Sequence, residues 1–305
     1  MSVDRRGFLF GAATITASGL LGYAGTQPAA AQAGPRTAPP TRPRQDWLAT
    51  LADDTPVARL SLPGTHHSGA RFGGAQVACQ GRTIAEQLDA GIRYLDIRCR
   101  SYHSAFVVHH GAVAQQLLFG SVLLTCEAFL RAHPSETVLL RLRQEHSTVP
   151  DAEFRRVFDL YQAGFRRLLR LDATLPTLGQ ARGKVVLLAD HPKLPGIPYG
   201  DTKLLAVQEE ETAPLAAKYR SIERHFHRAA TRPGRLYVNH VSSTHRSLPE
   251  ANARYLNPRV HRFLTGHGRA LTGLGVVAMD FPDAMPGLID AVIRHNRRFA
   301  GAAGE

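Results

Sequence analysis

The sequence predicts a single-domain α/β protein built as an irregular, distorted TIM-type (β/α)8 barrel. Three observations lead there: eight short β-branched or aliphatic runs, helical patterns between several of them, and no second linker or internal repeat in the folded part. With 305 residues, 44% hydrophobic and 20% charged, the chain can bury a large core, which excludes a disordered chain, a collagen-like repeat and a disulfide-stapled miniprotein. An open doubly wound sheet is the alternative, but no Gly-rich phosphate loop follows any of the runs.

The first segment reads as an address rather than as structure. Asp4-Arg5-Arg6-Gly7-Phe8-Leu9-Phe10 sets two adjacent arginines before an apolar run reaching Gly25, and Ala31-Gln32-Ala33 supplies a small-residue cleavage site. Residues 1–33 therefore read as a twin-arginine signal peptide and the protein as secreted. The run is too rich in Gly, Ala, Ser and Thr to hold a bilayer, and no later stretch is apolar enough to span one. Lys+Arg 37 against Asp+Glu 25 gives +12, and losing Asp4, Arg5 and Arg6 (net +1) leaves +11. That excess is mostly Arg and fits either a coding bias or a preference for anionic partners. Three cysteines, Cys79, Cys99 and Cys126, allow at most one intramolecular disulfide.

Residues 34–44 (GPRTAPPTRPR) form a Pro-rich linker, so the barrel domain is expected over 45–305. Its strand-like runs are Val57 to Leu62, Tyr94 to Arg98, Ala105 to His109, Thr137 to Leu142, Lys184 to Ala189, Leu204 to Gln208, Leu236 to Val241 and Leu274 to Met279. Helical patterns cover Thr83 to Leu88, Ser121 to Ala132, Asp151 to Leu171 and Gly287 to Phe299. The link from Arg98 to Ala105 is too short for a crossover helix, so the barrel should be irregular there.

In such a barrel the C-terminal ends of the strands form the active face. His66 and His67 follow the first run, and Asp96 and Arg98 share one side of the second by period-two alternation. His109-His110 ends the third run, Arg143-Gln144-Glu145 the fourth, and Asp280 the last. Any one of these is ordinary at a strand end, but their convergence on one mouth points to a site. Two histidines suit a mechanism in which one takes a proton and the other gives one, as in cleavage of a phosphodiester by an internal hydroxyl. An arginine beside them would hold the phosphate and its developing charge. A zinc site built from His66, His67, His109, His110 and Asp96 is the rival, and the fixed charge of Arg98 counts against it. No cofactor or metal is expected.

The segments ARLSLPGTHHSGA, AGIRYLDIRCR, FVVHHG, FLRAHPSETVLLRLRQE, ARGKVVLL, LYVNHVSS and VVAMDFPD with IRHN lie within the stretch from Asp46 to about Asn296. In order and spacing they resemble the bacterial phosphatidylinositol-specific phospholipases C of the metal-independent type, with their X-type catalytic domain. The resemblance implies an enzyme, a phosphorus-oxygen lyase releasing diacylglycerol and a cyclic inositol phosphate. It implies His66 as general base oriented by Asp280, His110 as general acid supported by Asp96, and Arg98 in the place that a cation fills in calcium-dependent relatives. Arg143, Glu145 and Glu209 fall at substrate-contacting positions. His67 stands where secreted relatives have an Asp that assists the general acid, Asp190 where they have an Arg, and Glu211 where they have the tyrosine under the inositol ring.

The expected partner is phosphatidylinositol or a related inositol lipid, met by peripheral membrane contact of a monomer, with no nucleic acid. A phosphodiesterase of the same barrel acting on another head group, and a catalytically impaired lipid- or glycan-binding relative, are the alternatives. The metal-dependent glycerophosphodiester type would need a Glu-x-Asp pair and an early His-Arg-Gly, which are missing where needed.

Overall fold

The computed structural model describes residues 44–245 and 247–299. The expected signal peptide, the linker up to residue 43, and Arg246 lie outside the described residues. Arg44, placed in the linker by sequence, instead begins a 3-10 segment, Arg44–Thr50, and its guanidinium reaches Asp290 at 2.8 Å.

The strands in chain order are β1 (Ser61–Thr65), β2 (Tyr94–Tyr102), β3 (Ala105–His110), β4 (Val113–Leu118), β5 (Val138–Gln144), β6 (Leu169–Arg170), β7 (Val185–Asp190), β8 (Ile197–Pro198), β9 (Leu205–Gln208), β10 (Leu236–His240) and β11 (Gly275–Met279). The helices are α1 (Ile84–Asp89), α2 (Phe119–Ala132), α3 (Asp151–Gly164), α4 (Leu178–Ala181), α5 (Leu215–Thr231), α6 (Pro249–Thr265) and α7 (Leu288–Arg294). The sheet runs β6-β7-β5-β2-β1-β11-β10-β9, its neighbours pairing parallel. Two dipeptide strands, β6 and β8, share the outer edge of β7 and together stand in for one stave. Among the described residues no ladder joins them to β9, so the barrel curls without closing.

The third run is not a stave. β3 pairs antiparallel with β2 and with β4, making a three-strand flap above the barrel. Only His103 and Ser104 separate β2 from β3, and a two-residue link permits a hairpin but no parallel crossover. The first run is displaced too: Val57–Arg59 is a 3-10 turn and the strand starts at Ser61. Helical expectation from Asp151 to Leu171 overshoots, because α3 stops at Gly164 and Leu169–Arg170 pairs with β7. The two longest helices, α5 and α6, cover β10 and β11.

Alternation divides the core. On β2 and β5, Leu95, Ile97, Val138, Leu140 and Leu142 pack outward against α2 and α3, while Tyr94 and Leu139 fill the barrel interior with Leu62, Leu188, Val238 and Val276. The same inward parity as Tyr94 and Leu139 leaves Asp96, Arg98, Arg141 and Arg143 facing the mouth, with Asp96 registered beside Arg141 and Arg98 beside Arg143. A third cluster joins α5, α6 and α7 to β10 and β11. Trp47 is buried in the interior cluster and donates to Gly91 O at 3.1 Å, a packing role. All three cysteines are buried and unpaired.

Candidate active site

The turn after β1 is held by backbone and side-chain bonds before any chemistry is considered. His66 N donates to Met279 O, Ser68 N to Asp96 O, and Gln80 Nε2 spans the carbonyls of His66 and Met279 at 2.7 and 2.9 Å. His67 is forced to φ +40, a left-handed conformation that costs energy in a non-glycine residue and marks a constrained functional turn. These constraints aim two adjacent imidazoles into the mouth.

His66 Nδ1 meets Asp280 Oδ1 at 2.9 Å, and Asp280 is itself fixed through its carbonyl by Asn257 Nδ2 at 2.9 Å. Burial alone would push the His66 pKa down, but the Asp280 carboxylate, with help from Cys79 and Glu211, raises it well above its ordinary value. Its Nε2 has no hydrogen-bond partner and faces Glu211 Oε1 at 3.5 Å. Glu211 also lies 3.9 Å from Arg98, and the His66 contact drives its carboxyl down to about 2.

Asp96 is fully buried, which works against its charge, but Arg98 at 3.1 Å and Arg141 at 3.7 Å hold it ionised, well below the usual carboxylate range. Arg98 reaches on to Glu145 Oε2 at 3.5 Å, and the other oxygen of Glu145 accepts from Gly111 N. Glu145 thus ties the arginine to the flap that carries His110.

His110 departs from the expected arrangement. Asp96 does not support it; its Nδ1 donates to Val77 O at 2.7 Å, with Cys79 Sγ at 3.8 Å. Asp96 is drawn away because two buried guanidiniums claim its oxygens. A carbonyl only accepts, so Nδ1 carries a proton in every state and Nε2 is the nitrogen left for substrate. His67 stacks on His110 with ring centroids 3.9 Å apart. Burial, then the charge of Arg98, keeps His67 well below its ordinary pKa, so it is a neutral plate rather than a stand-in for an acid. His109 turns to the opposite face, with Nδ1 against Gly111 O.

The remaining expected residues form an ion-pair lattice around a residue that sequence reasoning missed. Arg141 is 2% exposed, contacts Asp190 and Glu209 at 2.6 Å each, and stacks on the Tyr199 ring at 4.0 Å. Asp190 is therefore bound to arginine, while Arg143 sits 4.0 Å from it and projects at the rim. His240, also missed, is buried with Nε2 3.2 Å from Glu209 and 3.0 Å from the Tyr199 hydroxyl. Burial and Arg141 keep it neutral. Both carried a legible signal: Arg141 lies two residues before Arg143 on the same face, and His240 is next to last in the run from Leu236 to Val241.

Two donor groups approach metal-site spacing, His66 with Cys79 and Asp280, and His66 with Asp96 and His240. Their chemistry fits a divalent ion poorly. Asp96 is already neutralised by two guanidiniums, and burial pushes the Cys79 thiol up to about 12, far from the thiolate a metal needs.

The mouth of this parallel barrel sets an acid-backed histidine, an arginine and a second histidine around one opening, an arrangement able to take a proton on one side and give one on the other. The sequence profile of the phosphatidylinositol-specific phospholipase C X domain matches residues 69–191. The 1-phosphatidylinositol phosphodiesterase of Listeria monocytogenes is 29% identical over 276 residues, covering 83% of this chain and 85% of that protein. The Staphylococcus aureus protein of the same name is 25% identical, covering 76% and 87%. The solved structure of the Listeria monocytogenes phosphatidylinositol-specific phospholipase C superposes with a TM-score of 0.76 at 26% identity, over 83% of this chain and 98% of that one. A structure of the Staphylococcus aureus enzyme, at 22% identity and TM-score 0.74 over 83% and 98%, shares the fold. Along most of its length the chain is similar to bacterial phosphatidylinositol-specific phospholipases C, and residues 69–191 match the X domain.

Proposed function

We propose that this chain is a phosphatidylinositol-specific phospholipase C that cleaves an inositol phospholipid into diacylglycerol and a cyclic inositol phosphate. The observation that carries this reading is His66, backed by Asp280 at 2.9 Å, opening onto the same cleft as Arg98 and His110. The Listeria and Staphylococcus relatives, both 1-phosphatidylinositol phosphodiesterases by name, support the head group.

In this mechanism His66 Nε2 takes the proton of the inositol 2-hydroxyl, and that oxygen bonds to phosphorus. Arg98, locked in its charged state by Asp96, receives the charge on the non-bridging oxygens. The bond from phosphorus to the glycerol oxygen breaks, and His110 Nε2 donates a proton to it. Because Nδ1 of His110 is already a donor, the ring performs this step only as the imidazolium. The catalytic set is thus His66, Asp280, Arg98, Asp96 and His110, with Arg143 and Glu209 at the head-group side.

The substitution of Glu211 beneath the ring and the capture of Asp190 by Arg141 favour a second reading, a phosphodiesterase of the same barrel with a different head group. One experiment separates them: mass detection of products from a panel of inositol and glycerol phosphodiesters, with and without a chelator. Cyclic inositol phosphate released from phosphatidylinositol in chelator supports the first reading; turnover confined to another diester supports the second.

Residues 1–33 support export through the twin-arginine route, cleavage after Ala33, and a catalytic domain over 45–305. Among the described residues no helix is long and apolar enough to cross a membrane, and the proposed contact with lipid is peripheral.

A further inference from the structure

We propose that the groove between β9 and α5 is a binding site for a small soluble anion carrying two or three phosphates, separate from the catalytic mouth. The groove has a volume of about 460 Å³ and is lined by Arg224, Arg228, Arg232 and Arg235 together with His225. Concave sites of this size hold small ligands.

The charges there are not a solvated scatter. α5 buries Ser221, Ile222, His225, Phe226 and Ala229 against the barrel, and along the border of that face Arg224, Arg228 and the cap residue Arg232 recur at intervals of four. Like charges four residues apart on a helix repel, so this ladder weakens the helix unless something of opposite charge lies across it. Among the described residues none of the four arginines makes an ion pair. Arg224 donates to Ser221 Oγ at 2.7 Å and Arg235 to Thr202 O at 3.1 Å, contacts that leave both cationic. Glu209 borders the groove, but its carboxylate is turned through the wall onto Arg141 and His240, which leaves Glu210 as the lining acid. His225 adds an independent sign: it is 6% exposed, and its Nε2 is buried without a hydrogen-bond partner.

Geometry sets the size of the anion. At 1.5 Å per residue, Arg224 and Arg232 stand about 12 Å apart along the helix. A single phosphate spans one rung, whereas a chain of two or three phosphates spans the ladder, each met by a guanidinium fork. Thr202 and Arg235 lie before β9 and β10, at the end of the barrel opposite the mouth. A bilayer seated on the mouth therefore cannot cover the whole ladder, and a soluble ligand can.

The test is calorimetric titration of the full chain with tripolyphosphate at about 0.15 M salt, where diffuse surface attraction is screened beyond about 8 Å. Saturable one-to-one binding is expected. Arg228→Glu with Arg232→Glu should weaken it about a hundredfold, two charge-assisted contacts at about tenfold each, while turnover of phosphatidylinositol stays unchanged and thereby separates the groove from Arg98. Should the double reversal fold poorly, Arg228→Gln with Arg232→Gln should still weaken binding about tenfold or more. Absence of saturable binding, or binding that the variants leave untouched, overturns the proposal. Loss of sedimentation with phosphatidylglycerol vesicles in variants that keep their tripolyphosphate affinity would assign the ladder to a membrane and overturn it as well.

Discussion

Glu211 Oε1 stands 3.5 Å from Nε2 of His66, on the ring nitrogen opposite the one that Asp280 holds. The proposed base therefore lies between two carboxylates, both of which favour its protonated form. The nitrogen that must accept the hydroxyl proton faces an acid already sitting where the substrate hydroxyl has to come.

The sign of the consequence follows. Glu211 is one of the groups raising the His66 pKa, and a base works only when deprotonated, so Glu211 pushes the acidic limb of the rate profile upward. Glu211→Gln should move that limb of kcat/KM to lower pH and raise the rate below neutrality, since Asp280 still orients the ring. An acidic limb unmoved by the substitution would mean that Glu211 leaves the base alone in solution.

Arg98 bears on metal dependence. With Asp96 at 3.1 Å and Glu145 at 3.5 Å it is a fixed cation beside the cleft, so cleavage should survive a chelator and gain nothing from calcium. Arg98→Lys removes the planar fork and should cost about 10²–10³-fold in kcat, the range for losing a preorganised donor at developing charge. His66→Ala and His110→Ala should each cost about 10²–10⁴-fold. Reversible inactivation by EDTA would transfer the role of Arg98 to an ion.

The sequence exposed the strands and helices that repeat a period, and with them the residues at the ends of β1, β2 and β11. It misled where pattern does not encode pairing. Ala105 to His109 alternates like a barrel strand, and only the two-residue turn at His103 and Ser104 makes it a flap strand. The dipeptide strands β6 and β8 are too short to leave a period at all. In the site, Asp96 and Arg98 were legible from alternation, but the claim of Arg141 on Asp96 depends on the register between β2 and β5, a tertiary fact. The Val77 carbonyl behind His110 is a backbone atom in a loop, which no side-chain motif records.

A buried ion pair holds the far end of the barrel. Arg93 and Glu136 form a fully buried pair at 2.8 Å; Glu136 also accepts from Leu48 N, and Arg93 donates to Gln45 O, so the pair clasps the first 3-10 segment onto the sheet. Removing one partner of a buried pair strands the other charge, and Glu136→Ala should cost about 3–5 kcal/mol of unfolding free energy in denaturant titration. KM should not change, because the pair lies away from the mouth. A loss below about 1 kcal/mol, the scale of an exposed pair, would mean that the site is hydrated.

Export is tested through the segment outside the described residues. Under the proposed twin-arginine export, Arg5→Lys with Arg6→Lys keeps the charge but removes the recognised pair, so the protein should remain in the cell as a folded, active precursor. Normal appearance of the double-lysine protein in the medium would remove the twin-arginine assignment.

Under the proposed function the mouth is the face that meets lipid. By sequence, residues 69–82 and 242–254 carry Arg71, Arg82, Arg246 and Arg254 and little large apolar bulk. The structure adds Phe72 and Leu248, 40% and 41% exposed, and ties Arg82 to Asp283 at 3.7 Å and Arg254 to Glu250 at 2.7 Å. Full burial of such apolar side chains is worth about 1.5–3 kcal/mol, so the exposed fraction offers about 1 kcal/mol each. A basic residue near an anionic leaflet adds about 1 kcal/mol, less when already paired. Neither source alone holds a protein on a bilayer, and their sum does so only while the charges are unscreened. Sedimentation with anionic vesicles should therefore be weak and fall steeply from low salt to about 0.5 M, where the screening length is only a few ångströms. Phe72→Ala and Arg71→Ala should lower it by similar factors at low salt, and only Phe72→Ala should matter at high salt. Strong binding to neutral vesicles at about 0.5 M salt would require an apolar anchor larger than these two side chains.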